Sequence, residues 1–255
     1  MAKKRLLFMH IAKTAGSTVN AYFRQVLGND RVVDHAEIHG PNMQAFVDSE
    51  TFARARLISG HITGPELLTL MEQAGQRRRD FVFFTVVREP TDHLISHLRW
   101  VRGSLDRNEP NLPEAIARLA EDLSAIDLAE VDEVEAVLER HRPVSLTLFD
   151  NCQTRYFGQL QNFEVQTTDV WRSLIFAHDQ FDYVINQQAL ERSLPRMCIE
   201  NDIPHRMIPV PQENKQPFTS TDPLRSQEVK LRYARLVQKD LLLLNGLRQL
   251  RQYYA

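Results

Sequence analysis

Cysteine, net charge and long apolar runs are all scarce in this 255-residue sequence, and each scarcity closes off a class of protein. Two cysteines, Cys152 and Cys198, far apart in the chain, are too few for a disulfide framework. No metal-ligand spacing involves them, and two free thiols in a reducing, cytoplasmic compartment are expected. A formal net charge of −2 supplies no global basic field for nucleic acid or an anionic membrane, so any anion site must be local. Nothing approaches the ~18 apolar residues in a row that span a bilayer. The opening "MAKKRLLFMHIAK" sets basic residues before an apolar run, but that run is only Leu6 to Met9 plus Ile11, with no small-residue cleavage site after it. It is too short for a secretory signal. Internal repeats, low-complexity tracts and Pro/Gly/Ser linkers are also missing. What is present, 43% hydrophobic and 25% charged residues, is ordinary for a globular chain with a sizeable core.

Strands come first among the patterns that are there. "RLLFMHI" (residues 5–11) and "DFVFFTVV" (residues 80–87) are nearly continuous apolar runs, as expected of strands buried on both faces of a parallel sheet. "ARLIS" reads as a shorter strand ending near Ser59, and "FDYVIN" (residues 181–186) as another. Helices fall between them. Val19, Tyr22, Phe23, Val26 and Leu27 recur at helical spacing up to Gly28, and a second helix is opened by Pro65 and stopped by Gly75. A third carries Leu94, Ile95, Leu98 and Val101 on one face before Gly103. Within residues 103–142, the stretch from Asp106 to Arg142 is acidic, amphipathic and free of strand signal. It reads as a helical insertion with a solvated face, and its position also suits a lid over substrate. Further on, a helix around residues 188–192 is predicted to be interrupted by Pro195, and one long helix is expected after Asp222-Pro223, containing Leu231, Leu236 and Leu241 to Leu244. Strand-helix alternation throughout predicts a single α/β domain over residues 1–255 with a parallel sheet.

The first strand breaks into "HIAKTAGST", residues 10–18. A loop between a buried strand and a helix aims backbone N–H groups and the positive helix end at an anion. Lys13 adds a mobile charge, and Thr14, Ser17 and Thr18 add hydroxyl donors. The ATP-binding version, G-x-x-x-x-G-K-S/T, sets its lysine between the last glycine and the hydroxyl residue. Here Ser17 follows Gly16 directly, and the lysine comes earlier. The second long strand ends in Arg88, where a magnesium-using phosphotransferase needs an aspartate. A ligand with two separate phosphate groups and no metal fits this pattern better.

"HIAKTAGST" resembles the 5′-phosphosulfate loop, H-I-P-K-T-G-G-T followed by Ser or Thr, of sulfotransferases that use 3′-phosphoadenosine 5′-phosphosulfate (PAPS). "VVREPTDHLISHL" resembles their 3′-phosphate motif, V-R-D/E-P-x-x-R-x-x-S. The branch most similar is the carbohydrate type that includes heparan sulfate 2-O-sulfotransferases and bacterial sulfotransferases. The likeness extends weakly to "NCQTRYFG", to "FDYVI…LERSLPRM", and to "PQENKQ" with the C-terminal helix, leaving out the acidic insertion. It departs at Ala12 and Ala15, which stand for a proline and the second glycine, and at His93, which stands for an arginine. No glycine-rich loop follows Lys215.

The resemblance implies a P-loop-NTPase-like parallel sheet flanked by helices. It also implies sulfuryl transfer from PAPS to a hydroxyl, with 3′,5′-adenosine bisphosphate (PAP) as product and no metal required. The acceptor class would be a carbohydrate or glycoconjugate, with no nucleic acid and no membrane span involved. Lys13 would lie on the oxygen bridging phosphorus and sulfur, where charge develops in the transition state. Lys13, Thr14, Ala15, Gly16, Ser17 and Thr18 would cradle the 5′ side, while Arg88 and Ser96, eight residues apart, would converge on the 3′-phosphate. Asn151, Gln153 and Arg155, otherwise a loop near a strand start, would make cofactor or structural contacts, as would Asn214 and Lys215, with Arg155 and Lys215 the cofactor-binding candidates. His61, after strand-terminal Gly60, matches the family's glycine-histidine step and would be the base that takes the acceptor's proton. His35, His39, His93 and His97 are its rivals, with His97 nearest the second motif. The basic run Gln76-Arg77-Arg78-Arg79 reads as a solvated face, or as a greeting for an anionic acceptor. A metal-dependent nucleotide phosphotransferase with a degenerate loop, and a non-catalytic nucleotide-binding module, are the alternatives.

Overall fold

The computed structural model describes residues 4–107, 112–158, 163–205 and 222–255. Its centre is a parallel sheet in the order β2-β3-β1-β4-β5-β6. The strands are β1 (Arg5–Met9), β2 (Val32–Val33), β3 (Leu57–Gly60), β4 (Phe81–Val87), β5 (Tyr183–Asn186) and β6 (Tyr253–Tyr254). All five strand pairings are parallel. The α/β, P-loop-like sheet flanked by helices is therefore as the sequence led us to expect.

The continuous apolar runs have a simple cause. Leu7, Met9, Ile58 and Phe83 face one buried cluster and Leu6, Phe8, Leu57 and Phe84 the other, so alternate residues of each strand serve two cores. Helices α1 (Gly16–Leu27), α2 (Gly64–Gln73) and α3 (Pro90–Arg102) follow β1, β3 and β4. The acidic insertion forms α4 (Glu114–Ser124), α5 (Val131–Arg140) and the start of α6 (Arg142–Leu148). One face is solvated, as predicted. The other, with Leu119, Leu123, Val131, Val134 and Val137, closes a third buried cluster with Leu94, Leu98 and Val101 of α3.

Two helical predictions need correction. Helix α9 (Leu190–Glu200) runs straight through Pro195, which sits inside it. Proline in a helix interior removes one hydrogen bond and crowds the preceding turn; here Leu194, Met197 and Cys198, all buried, hold the helix together across it. The expected single C-terminal helix is two, α10 (Gln227–Ala234) and α11 (Gln238–Leu247), separated by a 3-10 turn at Arg235–Val237. Helices α7 (Cys152–Gly158) and α8 (Thr167–Gln180) and the two-residue strands β2 and β6 went unpredicted.

The break between α10 and α11 has a structural use. It frees the N-terminus of α11, where the Asn151 side-chain oxygen accepts from Lys239 N–H at 2.9 Å and Asp240 N–H at 3.0 Å. In return the Asp240 carboxylate accepts from Gln153 N–H at 3.1 Å, and from Thr154 N–H and Thr154 Oγ1–H at 2.7 Å each. Each side chain thus satisfies the orphan N–H groups of the other's helix. Asn151 holds φ 48, a left-handed conformation that asparagine tolerates better than most residues.

Asn151→Ala should therefore cost about 2–3 kcal/mol, combining a lost cap and a strained backbone. In urea unfolding, its loss and that of Asp240→Ala should sum to more than the double variant's loss, because the two caps share one junction. Burial also pushes the Asp240 pKa up from 3.8 to about 6. A group whose folded pKa is raised favours the fold most when protonated, so its contribution grows as pH falls from about 6 toward 4 and is lost as pH rises through 6. The stability difference between wild type and Asp240→Asn, measured across that window, should carry this slope.

Candidate functional site

The site forms where three strand ends meet. Met9 is level with Gly60 on one side and Thr85 on the other, so the residues after β1, β3 and β4 leave the sheet side by side. The chain fills the sheet on one side of β1 with β2 and β3 and then crosses to β4 on the other. Such a change of direction opens a crevice at the carboxyl ends of the strands, where ligands collect in sheets of this kind.

The loop from His10 to Ala15 is built by two left-handed residues, Lys13 (φ 64) and Ala15 (φ 79). Between them Thr14, fully buried, donates its hydroxyl to the Ile11 carbonyl at 2.8 Å. The Thr14 side chain is therefore loop scaffolding, not one of the outward donors the motif led us to expect. Ser17 is exposed and Thr18 buried. Ala15 caps α1 without a side-chain hydrogen bond, and the first turn contains no acid. This leaves the first-turn N–H groups and the positive helix end open to an anion. Gly16 is required for a separate reason: a Cβ there would lie 1.7 Å from Nε2 of His10, whose ring stacks on Phe8 at 5.5 Å.

Arg88, at the end of β4, reaches across to this loop. Its Nη1 donates to the Lys13 carbonyl at 3.1 Å. Its backbone is gripped by the Gln153 amide, which accepts from Arg88 N–H and donates to Arg88 O, both at 2.9 Å. Burial lowers the Arg88 pKa against the pull of Asp92 and Glu89, and among the described residues no carboxylate pairs with its guanidinium. The neighbouring acid Glu89 is occupied as the cap of α3, accepting from Asp92 N–H at 2.8 Å. Ser96 is half-buried on α3. The Lys13 ammonium lies 5.7 Å from the centre of the Trp100 ring.

Four histidines surround Lys13 closely enough to feel its charge: His10, His61, His93 and His97. Burial is the first cause of the lowered pKa in each, to about 2 for His10, about 4 for His93 and about 3 for His97. All four are neutral at pH 7, so the local positive charge resides in Lys13 and Arg88. His93 Nε2 donates to the Ala12 carbonyl at 2.7 Å. A neutral imidazole thus holds the loop at Ala12.

His61 is held by its ring and by its backbone. Its Nδ1 lies 2.9 Å from the His10 carbonyl; a carbonyl can only accept, so Nδ1 carries the proton and Nε2 keeps its lone pair. Its backbone N–H donates to Glu37 Oε2 at 2.9 Å, and Glu37 Oε1 is 2.8 Å from His35 Nδ1. Of the rivals, His35 is exposed, His39 stacks on Phe46 at 4.2 Å, and His97 is buried among Trp100 and Phe149.

The Arg155 guanidinium forms a partly buried ion pair with the Asp150 carboxylate and donates to the Phe163 carbonyl. Lys215 and Asn214 lie outside the described residues. Three contributors went unread in the sequence. Glu37 belongs to a segment without a strong pattern, His10 opens the loop motif but was given no role of its own, and Tyr156, close enough to the Ala12 backbone to feel it, sits in a stretch where only the polar residues were singled out.

No protein-family model matches the sequence, and neither does any curated protein sequence. A crystal structure of a sulfotransferase from Alicyclobacillus acidocaldarius superposes with a TM-score of 0.47 at 15% identity, over 96% of this chain and 97% of that one. That level of likeness leaves function to be argued from the site. No helix among the described residues is long and apolar enough to cross a membrane.

Loop strain gives a test of opposite signs at adjacent residues. An L-residue in the left-handed region costs roughly 1–2 kcal/mol, so Ala15→Gly should raise stability. The gain should be at most about 1 kcal/mol, because glycine also gains freedom in the unfolded chain. Gly16→Ala should lower stability by about 1–3 kcal/mol as the His10 ring is expelled from its stack. Thermal unfolding of both variants checks this; a destabilised Ala15→Gly would refute the left-handed loop.

Proposed function

We propose that the chain is a sulfotransferase, moving the sulfuryl group of PAPS to a hydroxyl of a carbohydrate or glycoconjugate. One observation carries the reading. Two cations, Lys13 and Arg88, meet at adjoining strand ends through the Lys13 carbonyl, and the second stands where a magnesium-dependent phosphotransferase needs an acid. Two separate anionic groups on one ligand suit such a pair. The open N-terminus of α1 and the half-buried Arg88, which has no carboxylate partner among the described residues, fit a doubly phosphorylated nucleotide.

When bound, PAPS supplies an activated sulfuryl group on a phosphate leaving group. In this reading His61 Nε2 accepts the proton of the acceptor hydroxyl as its oxygen attacks sulfur, and burial keeps the imidazole neutral for that work. Lys13 and the first-turn N–H groups of α1 neutralise the charge that builds on the departing phosphate as the S–O bond breaks. Arg88 and Ser96 hold the 3′-phosphate. Lys215 is retained as a further contact of this kind.

The deciding measurement is a thermal-shift panel with PAP, ADP and ATP, each with and without magnesium. PAP should stabilise the protein without magnesium and more than ADP does. Equal shifts, or a strict magnesium requirement, would return the site to the phosphotransferase reading. Arg88→Ala should weaken PAP by about 1.5–3 kcal/mol while affecting adenosine 5′-phosphosulfate much less, since that ligand lacks the 3′-phosphate.

The base is tested separately. His61→Ala should bind PAP as wild type does, yet lose about 10²–10⁴ in single-turnover transfer from PAPS to a working acceptor. Because the His61 pKa is lowered, the wild-type acid limb should fall below the ordinary imidazole range near 6.5, and the variant should lack it. A variant that keeps both turnover and acid limb would move the role to another histidine.

A further inference from the structure

Next to the loop, where His93 donates to the Ala12 carbonyl, lies a cluster the reaction above does not use. His93 and His97 are one helical turn apart on α3, and Cys152 faces them from the start of α7. One ring nitrogen from each histidine and the Cys152 sulfur lie within 4.8 Å of one another. All three residues are buried, at 2%, 4% and 5% exposure. The Nδ1 atom of His97 is buried without a hydrogen-bond partner, which is uncommon in a folded interior and calls for an explanation.

We infer that His93, His97 and Cys152 form a binding site for a zinc-class divalent cation that braces the phosphate loop. Two imidazoles and a thiolate are a donor set suited to Zn²⁺. A tetrahedral ion with Zn–N of about 2.0–2.1 Å and Zn–S of about 2.3 Å holds its ligand atoms about 3.3–3.6 Å apart, so small rotations from the observed spacing close the site. His93 already shows the supporting arrangement of a metal ligand: Nε2–H donates to the Ala12 carbonyl at 2.7 Å, which fixes the lone pair on Nδ1. The unpartnered Nδ1 of His97 gains a partner. Binding converts the Cys152 thiol to thiolate, its proton passing to buffer. The Asp240 carboxylate, close enough to act on the Cys152 sulfur, offsets the remaining positive charge.

The site makes a prediction independent of any transfer activity. Protein stripped by a chelator should bind one Co²⁺ per chain, with visible d–d bands and a thiolate-to-cobalt charge-transfer band that Zn²⁺ abolishes by displacement. The band should persist in Cys198→Ser, whose thiol is buried in a separate core cluster, and vanish in Cys152→Ser. His97→Gln should weaken cobalt binding at least tenfold while leaving the protein folded by thermal melting. Zn²⁺ should also raise the melting temperature of stripped wild type. Absence of a charge-transfer band in wild type would overturn the proposal without recourse to any variant. A cobalt spectrum that survives in Cys152→Ser would also overturn it, moving the metal to the His35, Glu37 and His61 group.

Discussion

The hydrogen bond from the Arg88 guanidinium to the Lys13 carbonyl is the contact on which the site depends. Strands β1 and β4 pair along their whole overlap, but that pairing ends at the sheet edge and leaves two loops with no common reference. The Arg88 contact supplies one. It fixes the spacing of the two cationic residues by tying the backbone of one to the side chain of the other. The Gln153 amide then fixes Arg88 by reproducing a backbone pairing on both its N–H and its carbonyl, so the strand is in effect extended by one side chain. Asp240 holds Gln153 in turn.

Around that frame, burial performs the electrostatic sorting. A ring of four histidines would be a strongly basic patch if exposed. Desolvation strips each of its charge, leaving imidazoles that act as directional hydrogen-bonding groups. The Ala12 and His10 carbonyls are each held by one of them. Two fixed cations in a partly dry crevice then outweigh a chain whose net charge is slightly negative, because proximity and low local dielectric count for more than the distant sum.

Much of this was legible in the sequence where a single segment carries both the pattern and the role. The β1 and β4 runs are apolar at every position because both faces are buried, and Lys13, Gly16 and Arg88 announce themselves by following such runs. The place of His61 at a strand end could be read because Gly60 ends a strand immediately before it. Glu37 could not: its role arises from a 24-residue return to His61, and nothing local marks it. The two-residue strands β2 and β6 are too short to show a period. The segment at Asn151, Gln153 and Arg155 was visible as polar, but its partners, Lys239, Asp240, Arg88 and Asp150, are mostly far along the chain. Pattern alone therefore could not separate scaffold from ligand contact. Pro195 misled because tertiary packing overrode a helix-breaking residue.

The reciprocal caps between Asn151 and α11 have a consequence for how the protein comes into being on the ribosome. The loop at residues 10–15 is made well before Gln153, the side chain that steadies its partner arginine. The carboxylate that steadies that residue waits for 240. Contacts at such separations form late and slowly. A growing chain therefore carries this loop through a long stretch of synthesis before the loop is held in its final shape. The shape of the loop is thus a property of the folded whole and not of its own segment.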